Sequence, residues 1–154
     1  YMVQKAVEMG VSLMQPVFTR HSQTERINLD RMKANAVEAA EQCGILNLPE
    51  IASPRALADV ITTWDSTRLL VLCDEDADVT DPVSALAERR SSAANPIPVS
   101  VLIGPEGGFA AQEREALLKF PNVIRLSLGP RILRADTAAV AALALVQAVL
   151  GDWK

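Results

Sequence analysis

Two loops in the C-terminal half of the chain concentrate the residues capable of chemistry. Residues 126–138 read LSLGPRILRADTA, with two arginines, a carboxylate and a hydroxyl beside Gly129 and Pro130, and they lead into an apolar segment over 138–150. Residues 104–109 read GPEGGF, in which glycines flank a carboxylate. Backbone-shaping residues beside polar groups, just before a helix, are typical of ligand sites in α/β proteins.

The loop at 104–108 is poorly suited to hold a phosphate group. It has neither the Lys-Ser/Thr ending of a P-loop nor the spacing of a dinucleotide-binding fingerprint. Pro105 removes one backbone N–H, and Glu106 adds a negative charge where a phosphate would lie. The composition therefore favours a neutral or cationic ligand that approaches the glycine backbone closely. The alternative is a tight turn in which Glu106 is only solvated.

Strand and helix patterns alternate along the chain and would position these loops. Strands are predicted over 11–18, 68–73, 99–103 and 123–128. Helices are predicted over 2–9, 29–43, 82–90 and 110–120 and at the C-terminus, with a loop over 91–96. Asn28 and Gly44 are predicted to bound the helix over 29–43. A further helix is predicted to begin at a Ser53 cap, with Pro54 in its first position. Three consecutive strand–loop–helix units predict a parallel sheet covered by helices. The loops at Asp74, Gly104 and Gly129 then meet at one sheet edge.

Composition narrows the function classes. The 154 residues fit one domain, and the net charge of −4 argues against a strongly basic nucleic-acid-wrapping domain while leaving local basic patches open. Cys43 and Cys73 lack metal-type spacing, and both are predicted to be small buried residues in a reducing cytosol. No signal peptide is visible, and the apolar run over 138–150 is shorter than the roughly 20 residues that span a bilayer.

Four segments in the same order carry a specific resemblance. LIGPEGGF (102–109), LSLGPRILRADTA and the Ala-rich helix that follows resemble the SPOUT-class methyltransferases, most of all the bacterial 16S ribosomal RNA uridine N3-methyltransferase family. QKAVEMGV (4–11) and AVEAAEQCG (36–44) resemble two further segments of that family. Nothing in the chain resembles the family's upstream PUA-like RNA-binding domain, and the chain starts at Tyr1. Residues 1–154 are therefore expected to be one SPOUT methyltransferase domain, a C-terminal fragment of a longer protein.

The resemblance implies a fold and a set of partners. It implies an α/β domain, a parallel sheet flanked by helices, with a C-terminal trefoil knot. It also implies S-adenosyl-L-methionine as the methyl donor, a homodimer, and a cytoplasmic protein that acts on 16S ribosomal RNA or the small ribosomal subunit without a membrane. The donor carries a sulfonium and no phosphate, which agrees with the acidic loop at 74–76.

The resemblance further assigns residues to roles. Arg134 is expected to stabilise negative charge on the uracil carbonyl oxygens, and Arg131 to do the same or to hold phosphate. Asp136 is expected to accept or relay the N3 proton. The donor is expected to contact residues of three loops: Leu72, Cys73, Ile103, Gly104, Glu106, Gly107, Gly108, Leu126, Ser127, Leu128, Gly129, Ile132 and Leu133.

Alternatives remain open for these residues and for the activity. Asp136 and Thr137 are also suited to an N-cap pair, and the two arginines to a solvated or salt-bridged pair. The family usually has Glu at Asp136, so the charge is kept on a shorter side chain. His21 is interpreted as a loop histidine rather than a general base. The rival activities are a SPOUT methyltransferase with another RNA target and a non-catalytic knotted binding module.

Overall fold

The computed structural model describes residues 1–23, 26–78, 81–91 and 97–153. The helices are α1 (Met2–Glu8), α2 (Leu29–Cys43), α3 (Leu57–Thr62), α4 (Pro82–Ser91), α5 (Ala111–Leu118) and α6 (Ala135–Val149). The strands are β1 (Leu13–Met14), β2 (Val17–Phe18), β3 (Glu50–Ile51), β4 (Arg55–Ala56), β5 (Leu69–Cys73), β6 (Val99–Leu102) and β7 (Val123–Leu126). No described helix combines the length and apolar composition that a membrane crossing requires.

The C-terminal half contains the predicted parallel sheet. Its strand order is β6-β5-β7, and both neighbours run parallel to β5. Leu72 of β5 lies opposite Leu102 of β6 and Arg125 of β7. Because the strands are parallel and in register, all three carboxyl ends lie at one edge of the sheet. The α/β class with a parallel sheet and flanking helices is confirmed.

Alternate residues of β5 pack on opposite faces of the sheet, as the two-residue period of a strand requires. On one face, Leu69 and Val71 form a buried cluster with Leu86 of α4 and Val146 of α6. Each of these side chains is at most 9% exposed. Burial of one leucine of this kind stabilises the fold by about 2 kcal/mol relative to full exposure.

The opposite face is covered by α3 and α5. Leu70 and Leu72 pack there with Leu57 of α3 and Leu117 of α5. The helices that follow β5 and β6 therefore lie on opposite faces of the sheet. At such a reversal the two connecting loops diverge and leave a crevice at the carboxyl ends of the strands, which is where open α/β sheets bind ligands.

The N-terminal half packs α1 against α2 through small side chains. Val7 meets Ala36, Ala39 and Ala40 in a buried cluster. The α2 bounds agree with the prediction because local signals fix both ends: Asn28 accepts a hydrogen bond from the Arg31 N–H at 2.9 Å, and Gly44 adopts φ +65°.

The predicted continuous strand over 11–18 is wrong. The segment forms β1, which pairs with β3, and β2, which pairs with β4, and Gln15 and Pro16 separate the two short strands. Proline has no N–H to donate to a ladder, so pairing stops there. The Pro16 carbonyl instead accepts the Arg55 N–H at 3.1 Å and the Gln15 side-chain amide at 2.9 Å.

The helix predicted from Ser53 and Pro54 is also wrong at its start. Pro54 precedes β4, and α3 begins at Leu57 after Ala56 in an extended conformation. Pairing of β4 with β2 holds this segment extended, which overrides the local helix-start signal. The other predicted elements occur with shifted ends; within the predicted loop over 91–96, Ser91 ends α4 and 92–96 lie outside the described residues.

Candidate functional site

The loop after β6 forms a tight turn at the sheet edge. The Gly108 N–H donates to the Pro105 carbonyl at 2.8 Å, and Gly108 adopts φ +66°, which glycine tolerates without strain. At Gly104, an added Cβ would lie 3.0 Å from the Phe109 ring. Glu106 is exposed at the corner of the turn. The tight turn considered from the sequence is therefore present, and its carboxylate faces solvent.

A remote segment of the chain holds this loop in place. His21 donates from Nδ1 to the carbonyls of Gly107 at 2.9 Å and Gly108 at 3.2 Å, because a carbonyl oxygen only accepts. His21 thus lies in a loop, as interpreted. Glu113 of α5 accepts the Arg20 N–H at one oxygen and the Ala110 N–H at the other, both at 2.9 Å. Residues 19–22 and 104–110 are therefore joined directly by two hydrogen bonds from His21, and Glu113 bridges Arg20 and Ala110 with two more.

Two of the three carboxylates in the acidic loop after β5 are already paired with arginines, so they are not free to attract a cation as the sequence favoured. Asp74, 8% exposed, accepts from Arg114 and from Arg125 at 2.8 Å each. Asp76 accepts from Arg114 at 2.7 Å, and the Asp76 carbonyl accepts from Arg125 at 2.6 Å. Two arginines thus neutralise two carboxylates, and the hydrogen bond to Asp76 raises the pKa of Arg114 above its ordinary value.

This ion-pair network fixes the base of the site. Arg114 comes from α5 and Arg125 from β7, so Asp74 links both elements to the end of β5. The Asp74 N–H also donates to the Leu126 carbonyl at 3.1 Å. Charge-assisted bonds of this kind are stronger than neutral ones, and here they hold the β5 and β7 ends side by side.

Cys73, the last residue of β5, is a protonated thiol at neutral pH. Burial raises its pKa to about 12, because a thiolate is poorly solvated there. The prediction that Cys43 is buried is wrong. Cys43 is exposed, since it lies on the solvent side of the last turn of α2.

The loop after β7 changes from buried to exposed along its length. Leu126 is fully buried, and Leu128 is half-buried and packs against the cluster under the sheet. Gly129 then adopts φ +101°, with nothing within 4 Å of an added Cβ. Beyond it, Arg131 is exposed and Ile132 is 87% exposed.

The expected catalytic residues lie at the start of α6. Arg134 is the N-cap residue in an extended conformation, and no side chain caps the helix. The N-cap alternative for Asp136 and Thr137 is therefore wrong: both lie in the first turn, where a carboxylate interacts favourably with the helix dipole. Asp136 accepts the Thr137 N–H at 2.8 Å. Arg134, 86% exposed, lies 3.9 Å from the Asp136 carboxylate, which is within ion-pair range.

The strand register brings the expected donor residues to one edge. Cys73 lies opposite Leu126, and Leu72 opposite Leu102, one residue before Ile103. Sequence reasoning missed the contacts of His21, Glu113, Arg114 and Arg125 with these loops. Their partners are distant in the chain, so no local pattern could have identified them.

Sequence reasoning also missed a groove beside the loop after β6. This groove has a volume of about 390 Å³ and is open to solvent. Its described lining comes from residues 17–23, from residue 27 and from the turn after β6: Val17, Phe18, Ser22, Gln23, Ile27, Pro105 and Glu106.

Comparisons with known proteins agree with this architecture. A family described as RNA methyltransferase domain matches residues 1–147. Ribosomal RNA small subunit methyltransferase E of Rickettsia conorii is 30% identical over 145 residues, which cover 94% of this chain and 57% of that protein. The Bacillus subtilis protein of the same name is 28% identical, with 95% of this chain and 59% of the relative covered.

A solved structure shows the same fold. The ribosomal RNA small subunit methyltransferase E from Neisseria gonorrhoeae, bound to S-adenosyl methionine, superposes with a TM-score of 0.83 at 25% identity. The match covers 99% of this chain and 61% of that one, so the chain spans about three fifths of such relatives. With a family match over nearly its whole length, this chain belongs to the RNA methyltransferase domain family.

Proposed function

We propose that this chain is the catalytic domain of an S-adenosylmethionine-dependent methyltransferase that modifies N3 of a uridine in 16S ribosomal RNA. The family match over residues 1–147 is the observation that carries the proposal. The relatives named above are small-subunit ribosomal RNA methyltransferases, and one of them is bound to S-adenosyl methionine.

The residues at the sheet edge fit this donor. When bound, S-adenosylmethionine supplies an electrophilic methyl group on a sulfonium. The buried Leu72 and Leu126 fix the ends of β5 and β7 by packing on opposite faces of the sheet, and the space beside Gly108 and Gly129 is open for a ligand to approach the backbone. Cys73 remains a thiol, so it does not compete with RNA as a methyl acceptor, because the thiolate is the reactive form.

The polar residues at the start of α6 support the transfer step. Loss of the N3 proton places negative charge on the uracil carbonyl oxygens, and a guanidinium at Arg134 stabilises that charge. Arg134 is 86% exposed and free to meet an incoming base. Asp136 is placed beside Arg134 and accepts or relays the proton, while Arg131 binds the base or a phosphate.

The exposed loop after β7 supports a larger assembly. We propose that residues 126–134 are part of a trefoil knot and that a second copy of the chain covers them in a cytoplasmic homodimer. Residues 129–132 are all exposed in the single chain, and this contiguous exposed stretch, which includes Ile132 at 87%, supports a covering ligand or partner. The relatives' additional length fits an upstream RNA-binding domain.

Calorimetry and a methyl-transfer assay on the full-length protein test the proposal. We expect S-adenosylmethionine to bind, and a methyl group to appear on N3 of one uridine in small ribosomal subunits. Arg134→Ala is expected to lower kcat by about 100-fold while donor affinity changes by less than about twofold, because the guanidinium acts on the base. Lys119→Ala, an exposed change at the C-cap of α5, is the control.

The outcomes separate the rival functions. A folded protein that binds no donor contradicts the proposal. Donor binding without transfer to any RNA indicates a binding module, and methylation at a different RNA position indicates another target. Equal loss of donor binding and transfer in Arg134→Ala contradicts the role assigned to Arg134.

A further inference from the structure

We propose that Asp74 is a positioning residue for the methyl donor and that, through Arg114 and Arg125, it aligns the three loops expected to contact the donor. This inference rests on the function proposed above. The loops leave the sheet after β5, β6 and β7, so a ligand that contacts all three depends on their relative positions. Asp74, Asp76, Arg114 and Arg125 form the Asp74 network, which connects them.

The hydrogen-bonded part of the sheet ends just before these loops. Its last pairs are Leu72 with Leu102 and Cys73 with Leu126, and the Asp74 N–H then donates to the Leu126 carbonyl at 3.1 Å. The expected donor contacts all lie at these ends or beyond them. Backbone pairing therefore fixes the strands, while the alignment of the loops depends on contacts outside the ladder.

Asp74 supplies such contacts from one carboxylate. Its oxygens accept from Arg125 Nε and Arg114 Nη2 at 2.8 Å each, and from the Asp76 N–H at 3.2 Å. The Asp74 side chain is only 8% exposed, so these charge-assisted bonds are little weakened by water. Asp74 follows β5 directly, Arg125 lies in β7, and Arg114 lies in α5, the helix after the β6 turn. One carboxylate therefore joins all three connections.

The two arginines also hold the loop after β5 in its folded form. Arg125 Nη2 donates to the Asp76 carbonyl at 2.6 Å, and Arg114 Nη1 donates to the Asp76 carboxylate at 2.7 Å. Each guanidinium thus bridges Asp74 and Asp76 with two nitrogens in a fixed geometry, which a single ammonium group does not reproduce. The Ala77 N–H completes the turn by donating to the Asp74 carbonyl at 3.1 Å.

The Asp74 network acts on donor binding rather than on the transfer step. Among the residues that the structure describes, Arg134 and Asp136 share no hydrogen bond or ion pair with it. Its two carboxylates and two guanidinium groups balance in charge, so it carries no excess negative charge with which to attract the sulfonium. A defect in the network is therefore expected to weaken donor binding while the bound complex keeps its rate.

Donor binding and turnover of the full-length Asp74→Asn protein test the inference. Calorimetry gives the Kd of S-adenosylmethionine and of S-adenosylhomocysteine, which lacks the sulfonium charge, at a temperature where near-UV circular dichroism shows the protein folded. We expect both Kd values to rise about tenfold, because about a tenth of the molecules then hold the loops aligned. With saturating donor, kcat on small ribosomal subunits is expected to change by less than about twofold.

A milder variant tests the geometry of the network. Arg125→Lys keeps the charge but loses the bridge between Asp74 and Asp76, so it is expected to raise both Kd values by about fivefold. Adding Asp74→Asn to it is expected to raise them by less than the product of the two single effects, because both changes remove the same contact.

Two control variants separate alignment from charge and from stability. Glu75→Gln removes an exposed neighbouring carboxylate and is expected to change neither Kd by more than about twofold. Val7→Ala truncates a buried residue between α1 and α2, so it lowers the urea midpoint from the N-terminal half of the chain. The folded Val7→Ala protein is expected to bind the donor as the wild-type protein does.

The outcomes decide between alignment and its rivals. Equal losses of affinity in Asp74→Asn and Val7→Ala overturn the inference, because Asp74 then acts only through stability. A loss confined to S-adenosylmethionine overturns it too, because Asp74 then acts by its charge on the sulfonium. If the wild-type protein binds the donor and Asp74→Asn and Arg125→Lys bind it equally well, this inference fails and the proposed function stands. If the wild-type protein binds no donor, the proposed function fails and this inference fails with it.

Discussion

The two glycine-containing loops at the sheet edge differ in what holds them. The loop after β6 is fixed by its own turn, by His21 and by the two carboxylate oxygens of Glu113. Among the described residues, the loop after β7 is held mainly near the sheet, by the Asp74 N–H bond to the Leu126 carbonyl and by the packing of Leu128. Further along, Arg131 and Ile132 are exposed, and the Arg134 side chain comes no closer than 3.9 Å to the Asp136 carboxylate, while the Arg134 carbonyl accepts the Ala138 N–H at 2.8 Å.

This difference indicates that the two loops have different roles in binding. A loop that is held before ligand arrives loses little conformational entropy on binding, so the loop after β6 is preorganised. The loop after β7 lacks such contacts among the described residues, and we propose that the donor, RNA or the second copy completes it. The following predictions test whether that contrast is real.

The largest expected effect concerns the reactivity of Cys73, at the end of β5 between the two loops. We expect iodoacetamide to alkylate Cys73 about a thousandfold more slowly in the folded protein than in urea, because its pKa rises from 9.0 to about 12 and only the thiolate reacts. The rate should increase as pH rises toward 12. Mass spectrometry distinguishes Cys73 from the exposed Cys43. Modification of both at one rate near pH 8 would show that the strand end is open to solvent.

Removing the charge of Asp74 is expected to have the next largest effect. Asp74→Asn leaves the guanidinium groups of Arg114 and Arg125 without their shared carboxylate, which should cost about 2–3 kcal/mol of unfolding free energy. The value is at the low end for buried pairs because both arginines are over a quarter exposed. Urea denaturation measures it.

The neighbouring carboxylate supplies a matched control. Glu75 is exposed, and its carboxylate has no hydrogen bond or ion pair among the residues described, so Glu75→Gln should change stability by less than about 0.5 kcal/mol. Since the Asp74 carboxylate also pairs with Arg125 of β7, Asp74→Asn should loosen the loop after β7 more than the loop after β6, which His21 and Glu113 hold independently. Equal losses in the two variants would mean that the network does not hold the site.

Sequence reasoning succeeded where the determinants are local. The bounds of α2 follow from the Asn28 cap and from Gly44, and the three sheet strands follow from continuous apolar runs that only a sheet buried on both faces tolerates. The convergence of three loops at one edge then follows from parallel topology. These features can be predicted from neighbouring residues together with the rule that strands joined through helices run parallel.

Sequence reasoning failed where a segment distant in the chain determines the local structure. Ser53 and Pro54 are a local helix-start signal, but pairing of β4 with β2 keeps this segment extended. Asp74, which appeared free in the sequence, is paired with arginines from α5 and β7. The same limit hid the contacts of His21, because its partners Gly107 and Gly108 are close only in the folded chain.

His21 provides the smallest effect and the most direct test of the contrast between the loops. Replacing it with Ala removes the hydrogen bonds to Gly107 and Gly108 but leaves the turn bond from Gly108 to Pro105. One net hydrogen bond contributes about 1 kcal/mol, so amide exchange at Gly108 should accelerate about fivefold, and donor affinity should fall by a similar factor. Arg20→Ala is the control, because Arg20 contacts Glu113 through its backbone N–H, which the substitution keeps. If His21→Ala exchanges no faster than Arg20→Ala, the loop after β6 holds its shape alone, and preorganisation by the N-terminal half is wrong. If it exchanges faster while donor affinity stays unchanged, the hold that His21 exerts on this loop does not serve donor binding.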